Sequence, residues 1–306
     1  MFRRRQGSVA GKVVFITGAA RGIGRATATA LVANGARVVL SDIDEQALDE
    51  VAASLGPDNA VATVSDVTSL ADMQAAVDAG SARFGGIDMV VANAGIASYG
   101  TVLAVDPAAF RRVIDVNVTG VFHTVRAALP SVMERRGYVL IVSSMAAYAP
   151  LGGMSSYNAS KAAVEHFANA LRMEVGYRGV DVGSAHMSWI DTPLVQEASA
   201  DLSAFDELLS RLPGPLSRRL PVEQCADAFV RGLAERKHHV DVPAGWVEAM
   251  RWLKPVLNSA VGDRLTRGLV AQFLPAVDAD VATLHRSTSA RNVAIGNVPP
   301  DAGAPS

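Results

Sequence analysis

Two periodicities alternate along the chain. Short runs rich in β-branched and aliphatic residues fall at 12–17, 36–40, 61–65, 88–92, 138–142, 180–185 and 238–242, and these read as strands. Between them apolar residues recur at three- or four-residue steps, at 25–34, from Asp44 onward, and at 70–84, 107–129, 162–175 and 222–236. That is the spacing of a helix with one covered face. Gly35 stands where the first of these helices should stop. The alternation predicts an α/β fold: a Rossmann-like, doubly wound parallel sheet of about seven strands with helices on both faces. In such a sheet ligands bind at the carboxyl ends of the strands. Asp42, Asp66, Asn93 and Ser144 all fall at those ends.

The first strand runs into Thr17-Gly18-Ala19-Ala20-Arg21-Gly22-Ile23-Gly24 and then a helix. Strand, glycine turn and helix form the setting of a dinucleotide fingerprint. Glycines let the backbone approach a pyrophosphate, and the helix N-terminus offers free N–H groups and positive potential. The bland alternative is an ordinary strand-to-helix turn. Asp42 lies 18 residues beyond Gly24, near the distance expected for a carboxylate that binds a ribose 2′-hydroxyl. It would repel a 2′-phosphate, and Ile43 brings no cation to offset it, so NAD is favoured over NADP. Asp42 could instead cap the helix that begins at Asp44.

The second candidate centre is Ser156-Tyr157-Asn158-Ala159-Ser160-Lys161, at the start of a helical run. Residues four apart share a helix face, so the phenol and the ammonium can be presented together. A neighbouring ammonium favours the phenolate and brings its pKa toward working pH. Tyr157 could then take a proton from an alcohol or give one to a carbonyl. Tyr-x-x-x-Lys also occurs by chance on helix surfaces, and it gains weight only in company.

With these residues in place, the sequence resembles the short-chain dehydrogenase/reductase family over roughly residues 10–245. The glycine turn, with Gly18, Arg21, Gly22, Ile23 and Gly24, resembles the family's cofactor turn. Asp66 and Val67 resemble its adenine-contacting pair. Asn93, Ala94 and Gly95 resemble the segment that steadies the sheet beside the cofactor. Ser144 precedes Tyr157 by 13 positions, the family's spacing for its active serine. The resemblance implies roles: Tyr157 as general acid/base, Lys161 lowering its pKa and holding the nicotinamide ribose, Ser144 stabilising the substrate oxygen, and Asn117 anchoring a proton-relay water. Ser143 is the alternative serine, expected to point to the other face of its strand end. Ile190 and Thr192 match positions expected at the nicotinamide carboxamide. Met187 and Ser188 replace the family's usual Pro-Gly, which leaves the path of that loop open. His186 is read as structural.

Residues 193–221 are the expected substrate lid. Leu202, Phe205, Leu208, Leu209 and Leu212 form a stripe at helical spacing, which covers an apolar substrate or is simply core. In 246–286, a helical extension, Trp246, Met250, Leu253, Leu257, Val261 and Leu265 recur at similar steps beside Arg251, Lys254, Arg264 and Arg267, broken by Pro255. That extension is expected to pack on the domain or a sister subunit, with contact to a membrane surface the less favoured reading. Residues 1–10 are read as a flexible start and 287–306 as a disordered tail.

Composition narrows the classes. Half of the 306 residues are apolar, enough for one large core, and a net charge of −2 leaves no basic footprint for nucleic acid. No apolar run spans a bilayer, and the single Cys225 suits a reducing cytoplasm. No metal ligands are assigned. The expected activity is hydride transfer between NAD(H) and a secondary alcohol or ketone, apolar like a lipid, steroid or terpenoid. Alternatives are an NADPH-dependent ketoreductase and a non-catalytic dinucleotide-binding protein. A homodimer or homotetramer is expected to bury the helices at 107–129 and 156–177.

Overall fold

All seven hydrophobic runs form strands in the computed structural model, which describes residues 7–295. Strands β1 (Val13–Thr17), β2 (Arg37–Asp42) and β3 (Ala60–Val64) alternate with helices α1 (Gly22–Ala33), α2 (Glu45–Leu55) and α3 (Leu70–Phe84). Strand β4 (Met89–Ala92) leads to α4 (Pro107–Ile114), a π turn at Asp115–Thr119 and α5 (Gly120–Glu134). Then follow β5 (Tyr138–Val142), α6 (Ser155–Val175), β6 (Asp181–Met187), the lid helices α7 (Pro193–Asp201) and α8 (Phe205–Arg211), α9 (Val222–Glu235) and β7 (His239–Val242). The strands pair in parallel in the order β3-β2-β1-β4-β5-β6-β7. The order reverses direction between β1 and β4, and that switch point opens a crevice above the carboxyl ends.

The central strands are apolar throughout because both faces are covered. One core layer joins the sheet to α3, α5 and α6 through Met73, Val125 and Val164. The opposite layer joins it to α1, α2 and α9 through Leu31, Leu48 and Phe229. Cys225 lies in this second layer, fully buried, and burial pushes its thiol up to about 12. It is a packing residue.

Three expectations are corrected. The start is not loose throughout: Val9 is buried in the core layer that includes α9, and Gly7 lies where a Cβ would strike the Ala234 carbonyl. Residues 1–6 lie outside the described residues. The stripe at 246–265, expected to pack on the domain or a sister subunit, packs on this chain only in part. Asn258 and Ser259 separate α10 (Trp246–Leu257) from α11 (Ala260–Leu284), and the break resets the helical phase. Val247 of α10 and Phe273, Val277 and Val281 of α11 are buried instead, while Leu253, Val261 and Leu265 are exposed. Third, 287–295 is not a structureless tail. Ser287, Thr288 and Ser289 are buried, and Ser289 caps a short helix α12 (Ala290–Ala294). Residues 296–306 lie outside the described residues.

The lid stripe has a partner. Leu202, Phe205, Leu208 and Leu209 pack with Phe273, Val277 and Val281 of α11, and Tyr99 joins them. The stripe is core between lid and extension rather than a cover for substrate. Among the described residues no helix is long and apolar enough to cross a membrane.

Candidate active site

The glycine turn is built by exclusion. Gly18 has φ +66° and Gly22 φ +50°, where a side chain strains the backbone. At Gly24 a Cβ would lie 2.0 Å from the Gly18 carbonyl oxygen, so the first turn of α1 closes only on glycine. Arg21 occupies the N-cap in extended conformation and supplies no side-chain cap, and no acidic residue stands in the first turn. The leading N–H groups of α1 therefore face the crevice without an anionic neighbour on their own helix. Asn93 locks the turn to β4: its amide donates to the carbonyls of Thr17 (3.0 Å) and Gly18 (3.1 Å).

Asp42 ties this turn to the next helix, accepting from the N–H of Ala20 at 3.0 Å and of Asp44 at 3.1 Å. The helix cap is Asp44, not Asp42; its carboxylate accepts from the Ala47 N–H. The hydrogen bond from Arg21 is the main reason the Asp44 carboxyl sits below its ordinary pKa. At Asp66 burial raises the pKa, but bonds from Arg112 and Thr68 outweigh it and the net shift is downward. Arg112 holds that carboxylate at 2.8 Å.

Across the crevice, Ser144 caps a short turn by accepting from the Ala146 N–H at 3.1 Å, and its hydroxyl is near enough to Tyr157 to pull that phenol's pKa down. Ser143 points the other way, as expected, and donates to the Lys161 carbonyl at 2.8 Å. Lys161 is buried, donates to the Val142 carbonyl at 3.0 Å, and lies 5.5 Å from the centre of the Tyr157 ring. Burial lowers the Lys161 pKa to about 8. Burial also raises that of Tyr157, with the Ser144 hydroxyl opposing it. Before the dinucleotide adds its own charges, desolvation therefore governs both groups, rather than the ammonium lowering the phenol.

Asn117 sits on the π turn, fully buried, and its side chain is a brace. Both amide hydrogens are committed, to the Ile96 carbonyl and to Ser160 Oγ, each at 2.9 Å. Its Oδ1 accepts from the Ile96 N–H. Such π turns often mark functional positions. Here the turn aims Asn117 between the β4 loop and α6, next to Gly95 and the Lys161 ammonium. The Asn117 side chain therefore has no hydrogen left to donate to a relay water.

Every cofactor-binding residue expected from sequence lines this one crevice except Gly24, which lies beneath it. Ser144, Tyr157 and Lys161 line it too, and Asn117 supports it from behind. The loop left open by Met187 and Ser188 has a definite path. Strand β6 continues through Met187, Ser188 donates to the Val242 carbonyl at 2.9 Å, and Ile190 bridges to Leu220. Thr192 then caps α7 close above Gly22. His186 is fully buried and stacks on Tyr148, with ring centres 4.4 Å apart; burial lowers its pKa and keeps it neutral. Sequence reasoning missed Leu194, Val195, Arg291, Asn292 and Ile295, which also line the crevice. The first two lay within the expected lid. The others sat in a small-residue stretch with no local pattern that announced them.

Residues 12–203 match the family model of short chain dehydrogenases. The chain belongs to the short-chain dehydrogenase family. A 3-alpha-(or 20-beta)-hydroxysteroid dehydrogenase of Mycobacterium tuberculosis is 36% identical over 211 residues, 69% of this chain and 80% of that protein. An 11-beta-hydroxysteroid dehydrogenase A of Sesamum indicum is 35% identical over 254 residues, 80% of this chain and 72% of that one. The crystal structure of a short chain dehydrogenase from Mycobacterium paratuberculosis bound to NAD superposes with a TM-score of 0.69 at 31% identity. It covers 79% of this chain and all of its own.

Proposed function

We propose that this short-chain dehydrogenase moves a hydride between NAD(H) and a secondary alcohol or ketone with an apolar body. The observation that carries the reading is one crevice joining the glycine turn and Asp42 to Ser144, Tyr157 and Lys161. The residues fit a dinucleotide: glycines clear the floor, free N–H groups face it, and a carboxylate stands at the end of β2. Asp42 favours a ribose hydroxyl over a phosphate, which is why NAD is preferred to NADP. The cofactor supplies the hydride chemistry. Ser144 holds the substrate oxygen and steadies charge developing on it. The Tyr157 hydroxyl gives up or takes the proton at that oxygen. Lys161 holds its charge beside the phenol, and Asn117 fixes the loop and helix that frame both.

The apolar preference rests on Met187, Leu194, Val195 and Ile295, which line the same crevice as Tyr157. The steroid substrates named for two relatives agree with it. Exposed Phe122 on α5, Met173 on α6 and Tyr177 just beyond it support a homo-oligomer, and the buried thiol of Cys225 suits a reducing cytoplasm. The deciding variant is Tyr157→Phe. Turnover of a steroid or terpenoid ketone should fall by roughly 10²–10⁴-fold, the usual worth of a positioned acid/base. NADH binding, followed by fluorescence, should stay near wild type. Turnover that survives the substitution would remove Tyr157 from the role.

A further inference from the structure

Residues 287–295 lie outside the span matched by the family model, yet they are fixed over the crevice. Ser287 accepts from the Tyr99 N–H through its carbonyl at 2.8 Å and from the Asp106 N–H through Oγ at 2.9 Å. Thr288 donates to the Ala97 carbonyl at 2.8 Å and accepts from the Asn292 amide at 3.0 Å. Just before them, Arg286 grips Asp201 at the end of the lid helix α7 with a 2.6 Å bond, and Tyr99 bonds the same carboxylate. This anchoring leaves Arg291 little choice of position. Its guanidinium reaches 3.3 Å from Asp44, at the start of α2, and 3.9 Å from Glu197 on α7. It lines the same crevice as Gly22 and Ile23.

We propose that Arg291 is a dinucleotide-binding residue that pairs with the pyrophosphate of NAD(H) and makes the segment 287–295 a roof over the cofactor. The proposal rests on the dinucleotide reading of the crevice. A guanidinium carries five N–H donors in a planar fork, and phosphate oxygens are among its best acceptors. Its two present partners are at long range, and Asp44 already takes 2.8 and 3.2 Å bonds from Arg21. Donors therefore remain for an anion. The floor of the crevice supplies N–H groups from α1, and the cation at that helix's N-cap, Arg21, is held by Asp44 at 2.8 and 3.2 Å, so a pyrophosphate there would need a further counter-charge. Arg291 is placed to supply it. Because the anchoring runs through Asp201 and Glu197 of α7, the same segment couples the roof to the lid.

The test uses the full chain and two probes that differ in the pyrophosphate: ADP-ribose, which has it, and adenosine, which does not. For Arg291→Ala, ADP-ribose and NADH should each bind on the order of tenfold more weakly in titration calorimetry, the scale of a lost charge-assisted bond. Adenosine should bind as to wild type, and the salt dependence of ADP-ribose affinity should flatten. Arg291→Lys, which keeps the charge and the fold of the segment, should recover part of the loss. Unchanged ADP-ribose affinity, or equal weakening of both probes, would overturn the proposal. Neither probe reports on turnover, so the assignment of Tyr157 stands or falls separately. If wild type bound neither probe, the dinucleotide reading itself would fail.

Discussion

The two ends of the crevice are made in different ways. Its floor, from Thr17 to Asp42, is a local device in which positive-φ glycines, a helix N-terminus and a strand-end carboxylate lie within a short stretch of chain. Its roof, α7 with residues 286–295, is held by contacts that span the molecule, such as Thr288 to Ala97 and Arg286 to Asp201. Local constraints leave a mark on neighbouring residues; distant ones do not. The floor can therefore be recognised across a family, whereas the roof can be added by one chain.

The comparison can be broken most forcefully at the joint between lid and extension. Phe273→Ala, which empties a buried position between α8 and α11, should cost about 3–5 kcal/mol in denaturant unfolding. A loss under about 0.5 kcal/mol, typical of an exposed site, would mean the extension is not part of the fold's core. At the floor, Gly24→Ala forces a methyl against the Gly18 carbonyl and should destabilise by about 1–3 kcal/mol while weakening NADH binding. Retention of both would show that the turn can relax. The smallest effect belongs to Leu265→Ala, on the exposed side of α11, which should change stability by less than about 0.5 kcal/mol in the same assay. A larger cost would reveal that this face is covered in solution.

Most of the sheet was legible because its strands are short and bounded by turn residues, and central ones such as β1 and β5 are apolar on both faces. The catalytic candidates were legible because four-residue spacing on α6 brings Tyr157 and Lys161 to one face whatever surrounds them. Two things were not. The pKa relation between those two groups depends on burial, which spacing does not encode. The extension was only partly legible because Leu253, Val261 and Leu265 keep helical spacing across the break at Asn258 and Ser259, yet stay exposed. At 287–295, side chains such as Ser287 and Thr288 are buried through hydrogen bonds rather than hydrophobicity, and composition alone reads such a stretch as unstructured.

The packing of Phe205, Leu208 and Leu209 on α11 also bears on how the enzyme could be handled or redesigned. A version trimmed to the span shared with its relatives would bare those rings and branched chains to water and turn a lid into an adhesive patch. Loops swapped in from a relative to alter substrate choice would likewise need their matching length of α11 carried with them.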